Sequence, residues 1–215
     1  MKLYTYWRSS AAYRVRIGLN LKGLECPSEY VHLVRDGGEQ LKPAYRSINP
    51  QGLVPSLVLE DGTTLTQSLA ILEYLDEVHP EQPLLPGEAI GRARVRALAQ
   101  TVACEIHPLN NLRVLKHLAT TMGVAEEAKN DWYRHWVVQG FEALERQLAD
   151  SLDTGQFCHG DTPGMADACL IPQVYNARRF EIDLVPYPTI ARIDAACLAL
   201  DPFIQAAPES QGDAQ

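Results

Sequence analysis

The segment from His79 to Glu88 limits the possible folds of this chain more than any other feature. It contains three prolines and one glycine, a composition typical of a linker between domains. Before it, stretches with the pattern of a strand and stretches with helical spacing follow one another. After it, every periodic stretch has helical spacing. The sequence therefore predicts an α/β domain over residues 1–80 and an all-helical domain over residues 88–208.

The first domain is predicted to open with a βαβ unit. Lys2 to Trp7 and Glu29 to Val34 have the pattern of short strands, and Ala11 to Leu21 has apolar residues at helical spacing. Gly23 is expected to end this helix, because glycine readily adopts the left-handed conformation that follows a helix. A crossover of this kind joins parallel strands.

The rest of the first domain is predicted to contain a hairpin between two helices. A short helix is expected within Glu39 to Ser47, and Val54 to Leu65 is predicted to form two strands joined by a turn at Asp61-Gly62. Gln67 to Val78 places its apolar residues on one helical face. The predicted order is β-α-β-α-β-β-α.

Proline and glycine also mark interruptions within the second domain. Pro108 removes a backbone donor from an otherwise helical pattern, so a bend there should expose Asn110 and Asn111. Further on, Gly160 to Asp167 precedes an apolar run and is predicted to form the entrance to a helix. Residues after Pro208 are expected to be frayed.

The net charge of −8 argues against broad affinity for nucleic acid or anionic membranes, since both require Lys and Arg to neutralise phosphates. No apolar run approaches the roughly 20 residues that span a bilayer, and the amino terminus lacks the pattern of a signal peptide. We therefore expect a cytoplasmic protein, in which local cations bind any anionic substrate.

The cysteines are predicted to be reduced and mostly buried. They are widely spaced, and none belongs to a Cys-x-x-Cys pair of the kind that holds zinc or performs dithiol exchange. No metal site is expected. The five residues concerned are Cys26, Cys104, Cys158, Cys169 and Cys197.

One motif near the amino terminus is similar to a known signature. Arg8-Ser9-Ser10-Ala11-Ala12-Tyr13-Arg14-Val15-Arg16-Ile17 resembles the segment around the catalytic serines of zeta-class glutathione transferases. Taken alone, Ser9-Ser10 would also fit a chance pair that caps a helix. The resemblance extends from Lys2 to about Pro208, and it implies a thioredoxin-like N-terminal domain followed by an all-α domain.

The resemblance implies that Ser9 or Ser10 donates a hydrogen bond to the sulfur of glutathione. Hydroxyl groups, backbone N–H groups and the helix dipole at the start of a helix all stabilise a thiolate. The family usually has cysteine after the serine pair, whereas this chain has Ala11, so a protein thiol at that position is excluded.

Further motifs imply the glutathione-binding residues of the first domain. Asn49 to Leu57 resembles the corner of glutathione domains in which the Val54-Pro55 bond is cis and the Val54 main chain pairs with glutathione as an added strand. Gln67-Ser68 resembles the pair that holds the γ-glutamyl group. The resemblance also implies polar contacts to the tripeptide from Gln40 and Gln51.

Two segments of the helical domain are similar to family segments that face the active site. Ile106 to Arg113 implies glutathione contacts from His107, Asn111 and Arg113, although a lone histidine is usually an ordinary polar residue. In Val174 to Phe180, the resemblance implies that the second arginine, Arg179, reaches the active site.

The alternative for Arg178-Arg179 is a pair of solvated surface arginines. The resemblance instead implies that Arg8 and Arg179 bind the two carboxylates of a substrate, for which guanidinium groups are well suited. One departure from the family concerns Gly164, which stands where Ser or Thr commonly completes a capping box with Asp167. The helix there is expected to be weaker.

The activity implied by the resemblance is glutathione-dependent cis–trans isomerisation of a small maleyl dicarboxylate by a homodimer, within the catabolism of aromatic compounds. Maleylacetoacetate and maleylpyruvate both remain open as substrates. Two alternatives are a conjugating glutathione transferase or dehalogenase, and a non-catalytic interaction module built on the same fold.

Overall fold

The computed structural model describes all residues from Met1 to Gln215, which form two compact units. The first unit comprises Met1–Leu85 together with Leu198–Gln215, and the second comprises Pro86–Cys197. The break near residue 85 falls within the proline-rich segment. Residues 198–208 were expected in the helical domain but are part of the first unit. Helical periodicity does not indicate which core a helix packs against.

The first unit contains a four-stranded mixed sheet with the order β2-β1-β3-β4. The strands are β1 (Lys2–Thr5), β2 (Ser28–Tyr30), β3 (Ser56–Val58) and β4 (Thr64–Thr66). Strands β1 and β2 are parallel, whereas β1 with β3 and β3 with β4 are antiparallel. The predicted βαβ unit and hairpin are therefore confirmed.

Three helices of the first unit match the predicted order. They are α1 (Ser10–Leu21), α2 (Pro43–Arg46) and α3 (Ser68–Val78). Helices α1 and α3 pack against the sheet through one apolar cluster, formed by Leu3, Val15, Leu19, Leu57, Ile71 and Leu75. Gly23 follows α1 with φ +64°, as predicted for the residue that ends this helix.

The helix expected within Glu39 to Ser47 is instead divided into a 3₁₀ turn at Glu39–Leu41 and α2. Lys42 separates them with ψ 149°, an extended conformation. It precedes Pro43, and the proline ring disfavours helical geometry in the preceding residue. The division is therefore a local steric effect.

The second unit consists of helices, as predicted. They are α4 (Ala89–Gln100), α5 (Leu112–Thr120), α6 (Glu126–Ala149), α7 (Met165–Arg179) and α8 (Pro188–Leu198). A short helix α9 (Asp201–Ala206) follows; it belongs to the first unit and packs against α1. None of the helices combines the length and apolar character required to cross a bilayer.

The predicted interruption at Pro108 is confirmed, but the predicted exposure of Asn110 is wrong. Helix α4 continues as a π-helical segment, Thr101–Ile106, and the chain then turns. Asn110 is buried at 7% exposure, and its amide donates to the carbonyl of Tyr133. That hydrogen bond replaces the water that an exposed amide would bind. Asn111 is half-buried.

The start of α7 contains half of a capping box. The Asp167 carboxylate accepts the N–H of Gly164 at 2.9 Å and, through its other oxygen, the N–H of Cys158 at 2.9 Å. Gly164 has no side chain that could return a hydrogen bond. Burial raises the pKa of Asp167, and the two N–H donors oppose that increase.

The C-terminal tail was predicted to be frayed, but it is held by hydrogen bonds. Residues Pro208–Ser210 form a 3₁₀ turn, after which Asp213 accepts the N–H of Trp7 at 3.1 Å. The N–H of Gly212 donates to the Tyr30 hydroxyl at 3.2 Å. The tail has few apolar residues, so its attachment through polar groups leaves no periodic signal in the sequence.

The proline-rich segment is held by a buried ion pair. Lys22 Nζ lies 2.9 Å from Asp76, and both side chains are less than a tenth exposed. The same ammonium donates to the carbonyls of His79 and Gln82, and Asp76 also accepts the N–H of Leu84. These bonds join α1 and α3 to the end of the first unit.

We predict that Lys22→Met lowers the free energy of unfolding by about 3–5 kcal/mol, because it leaves a buried carboxylate and two carbonyls without their donor. Lys2→Met is the matched control, because Lys2 and Glu29 form an exposed ion pair. Loss of that pair should lower the free energy of unfolding by less than about 1 kcal/mol. Denaturant unfolding measures both values, and equally small losses would contradict the prediction.

Candidate functional site

Ser9 and Ser10 occupy the start of α1. Ser9 is the N-cap residue, and its Oγ accepts the N–H of Ala12 at 3.2 Å. Ser10 is the first helical residue and is buried, whereas Ser9 is half-buried. The capping interpretation thus holds for Ser9, but a hydroxyl that accepts one hydrogen bond still has a proton to donate. Both roles are compatible at this position.

The electrostatics of this helix terminus favour an anion. The first turn of α1 contains no acidic side chain, so no residue of the helix itself offsets the partial positive charge of its N–H groups. Arg8 precedes the cap and is exposed, with its guanidinium 4.7 Å from the centre of the Trp7 ring. The ring restricts the guanidinium while leaving its donors accessible to a ligand.

A buried arginine links α1 to the next predicted binding element. Arg14 donates to the hydroxyl of Ser68 at 3.2 Å, and Ser68 is itself buried as the first residue of α3. Arg14 is not among the site residues predicted from the sequence. Its available signal was a charged residue among the apolar positions of a helix, because such a residue is seldom buried without partners.

Gln67 and Gln51 are brought together by a strained turn. Gln67 has φ +70° and ψ 118°, and its amide donates to Oε1 of Gln51 at 3.0 Å. A non-glycine residue in this region costs about 1–3 kcal/mol, and such residues cluster at binding sites. The hydrogen bond places both amides beside the start of α3.

The Val54-Pro55 bond is cis, as predicted. Val54 is buried, and neither its N–H nor its carbonyl forms a hydrogen bond within the chain. The neighbouring Leu53 carbonyl accepts both the Tyr45 hydroxyl at 2.7 Å and the Asn49 amide at 2.8 Å. The loop is thus fixed while the Val54 main chain remains open to pairing.

Gln40 differs from the other predicted glutamines. It is buried, its Nε2 donates to the carbonyl of Leu33 at 3.2 Å, and its Oε1 has no partner. The side chain therefore braces its own loop through one amide atom. Its Oε1 and its second N–H are the parts of the amide without a partner in the chain.

In the second unit, His107, Asn111 and Arg113 lie around the turn after the π-helical segment. Asn111 caps α5 by accepting the N–H of Arg113 at 3.1 Å, and its amide lies 3.4 Å from His107 Nε2. His107 is half-buried and Arg113 is exposed. A π-helical turn often accompanies a functional site, so this cluster has a local geometry consistent with binding.

The two adjacent arginines at the end of α7 differ in their partners. Arg178 forms an ion pair with the buried carboxylate of Asp194. Arg179 makes only a long contact of 3.4 Å with Asn176 Oδ1 and lies 5.9 Å from the centre of the Phe180 ring. Both arginines are exposed, as the surface interpretation expects, but Arg178 is engaged in an ion pair whereas Arg179 has no carboxylate partner.

The cysteines lie apart from these clusters. Cys158, Cys169 and Cys197 are buried, Cys26 is half-buried, and Cys104 is exposed. Burial raises the pKa values of the Cys158 and Cys197 thiols, which disfavours the reactive thiolate. No group of three or more His, Cys, Asp or Glu side chains is placed to hold a metal ion.

The chain matches two family models that together cover most of its length. Residues 8–78 match the glutathione S-transferase N-terminal domain, and residues 130–209 match the C-terminal domain. A protein of Vibrio cholerae named probable maleylacetoacetate isomerase is 52% identical over 99% of this chain and 97% of its own length.

Two solved structures are similar over the full length of both chains. One is the holo structure of a maleylpyruvate isomerase described as a bacterial glutathione S-transferase of the zeta class, with 49% identity and a TM-score of 0.96. The other is a maleylacetoacetate isomerase from Methylobacterium extorquens AM1 with bound malonate and GSH, with 46% identity and a TM-score of 0.96. The chain therefore belongs to the glutathione transferase family, within its zeta class of maleylacetoacetate and maleylpyruvate isomerases.

Proposed function

We propose that this protein is an enzyme that catalyses the glutathione-dependent cis–trans isomerisation of a maleyl dicarboxylate. The observation that carries the proposal is that two suitable groups are adjacent in the chain. Ser9 lies at a helix N-terminus whose first turn has no acidic side chain, and the guanidinium of Arg8 is exposed. The first can stabilise a thiolate and the second can bind a carboxylate. The names of full-length relatives with about 50% identity support the same reaction.

The residues of the first unit fit the parts of glutathione. The unpaired N–H and carbonyl of Val54 can accept an extended peptide as an added strand. The first turn of α3 also lacks an acidic side chain, so its N–H groups and the Ser68 hydroxyl suit the γ-glutamyl carboxylate. Gln51 and Gln67 supply amides beside that terminus.

Bound glutathione would supply the thiolate that adds to the cis double bond and leaves again after rotation about the resulting single bond. The chain's own residues provide position and charge. Ser9 donates a hydrogen bond from its hydroxyl to the sulfur, and the N–H groups of α1 add the field of the helix terminus. Arg8 holds one substrate carboxylate in place.

Of the two serines, we assign the sulfur contact to Ser9. Its hydroxyl is half-buried, so a ligand can reach it, and its acceptor bond to Ala12 orients the remaining proton. Ser10 is only 7% exposed, and its side chain belongs to the interior of the unit. Ser10 then supports the turn and does not touch the sulfur.

We assign the second substrate carboxylate to Arg179. The guanidinium of Arg178 is engaged by the Asp194 carboxylate, whereas Arg179 retains donors for a ligand. Malonate, a dicarboxylate, is bound in the Methylobacterium relative, which supports recognition of two carboxylates by this class. His107, Asn111 and Arg113 are proposed as further contacts to glutathione.

The relatives include both maleylacetoacetate and maleylpyruvate isomerases, so the substrate has to be decided by assay. Each compound is incubated with the protein, with and without glutathione, and the geometry of the product is determined. Fumaryl products that require glutathione support the proposal. A stable conjugate would indicate a transferase or dehalogenase, and glutathione binding without turnover would indicate an interaction module.

We further propose a cytoplasmic homodimer, as the resemblance to the family implies. The five free cysteines fit a reducing compartment. Light scattering on the purified protein measures the mass in solution. A mass of one chain, 23.9 kDa, across micromolar concentrations would contradict the dimer.

We predict that Ser9→Ala raises the pKa of the bound glutathione thiol and lowers kcat by roughly 10- to 150-fold, the range of a lost charged hydrogen bond. Because the pKa rises, activity should need a higher pH. Glutathione affinity should change much less, since the tripeptide is held at several places. Thiolate absorbance against pH gives the thiol pKa, and steady-state kinetics give kcat.

Ser9→Thr and Ser10→Ala are the matched controls for this measurement. Threonine keeps a capping hydroxyl, so it should retain most of the thiol pKa depression. A larger loss in Ser10→Ala than in Ser9→Ala would reverse the assignment, and wild-type turnover in the double alanine variant would reject the site.

We predict that Arg179→Met lowers kcat/KM for a maleyl dicarboxylate by roughly 10- to 150-fold, while an uncharged electrophile is affected far less. The reason is that only the dicarboxylate needs the second cation. Arg146→Met removes an equal charge from an exposed position on α6 and should alter neither substrate. Equal loss on both substrates would assign Arg179 to folding or glutathione binding instead.

A further inference from the structure

The loop between β1 and α1 is held by hydrogen bonds to residues outside the loop. Strand β1 ends at Thr5, two residues before the predicted end at Trp7. The N–H of Trp7 donates to Asp213 Oδ2 on the C-terminal tail at 3.1 Å. The carbonyls of Tyr6 and Trp7 both accept from Arg16 on α1, at 3.3 and 3.0 Å.

One peptide group connects the tail to the candidate catalytic serine. The Tyr6–Trp7 peptide donates its N–H to Asp213, and its carbonyl accepts the N–H of Ser9 at 3.0 Å. Because a trans peptide is planar, its N–H and carbonyl point in opposite directions and turn together. A rotation that follows loss of the Asp213 bond would therefore displace Ser9.

Asp213 also acts on Arg16 electrostatically, without a direct ion pair. Arg16 is only 5% exposed, and it binds the Ala206 carbonyl of the C-terminal segment at 2.9 Å. Burial lowers the pKa of Arg16 to about 10, and the Asp213 carboxylate opposes that shift. The C-terminal segment therefore bonds to the loop through Asp213 and to the cation that fixes the loop through Ala206.

Resting on the proposed function, we infer that Asp213 is a positioning residue that fixes the Ser9 hydroxyl through the Tyr6–Trp7 peptide. The bond from a carboxylate to a backbone N–H is stronger than a neutral bond. Hydrogen bonds in series polarise one another, so the bond from Ser9 to Tyr6 is strengthened as well. A merely structural tail would stabilise the fold without influencing the bound thiol.

The test compares Asp213→Ala, Asp213→Asn and wild type. We expect Asp213→Ala to raise the pKa of the bound glutathione thiol and to lower kcat about three- to tenfold, the range of one hydrogen bond. The dissociation constant of glutathione should change by less than about twofold. Asp213→Asn keeps an acceptor oxygen, so it should restore much of kcat and of the thiol pKa.

Asp201→Ala is the matched control, since Asp201 is an exposed carboxylate of the same C-terminal segment. It should leave thiol pKa and kcat at wild-type values. If Asp213→Ala lowers only the thermal midpoint, or changes nothing, the positioning role is overturned. The thiol pKa is measured in the binary complex with glutathione and needs no maleyl substrate. Failure of the positioning role is therefore distinguishable from failure of the isomerase proposal. In the latter case, the wild type would bind glutathione but convert neither maleyl substrate.

Discussion

The N-termini of α1 and α3 are the regions of partial positive charge around which the first unit is built. Neither first turn contains an acidic side chain, so neither charge is offset by a neighbour on the helix. The Arg14–Ser68 bond joins the two termini at 3.2 Å. Their relative position is therefore set by a buried contact, and an anionic tripeptide can engage both.

The backbone around these termini supports the same conclusion. The chain holds Gln67 at φ +70° and leaves the Val54 main chain unpaired, two costs that folding alone does not require. Gln67 directly precedes α3, and both features favour a bound peptide over a structural role. The proposed isomerase uses this arrangement to stabilise a thiolate, while the arginines select the dicarboxylate.

Local pattern predicted most of the fold. The parallel pair of β1 and β2, the hairpin of β3 and β4, and the stop of α1 at Gly23 all followed from spacing and turn chemistry. The burial of Asn110 and the attachment of the tail were missed, because each depends on one polar contact between residues distant in sequence. Such contacts leave no period to detect.

The candidate site shows the same limit. The resemblance selected Ser9, Gln67 and Arg179, but the sequence could not separate Arg179 from Arg178, since both end the same helix with the same charge. Only the buried carboxylate of Asp194 distinguishes them, and it lies in a different helix. Arg16 and Asp213 were missed for a related reason, since their partners are backbone groups that carry no sequence signature.

The central claim is that glutathione is used and returned at this site. The most direct measurement follows the vinyl protons of maleylacetoacetate or maleylpyruvate by NMR, with glutathione at about a hundredth of the substrate concentration. The account predicts complete conversion to the fumaryl isomer with the free thiol recovered. Conversion that stops after one substrate per glutathione, or that proceeds equally without glutathione, would contradict it.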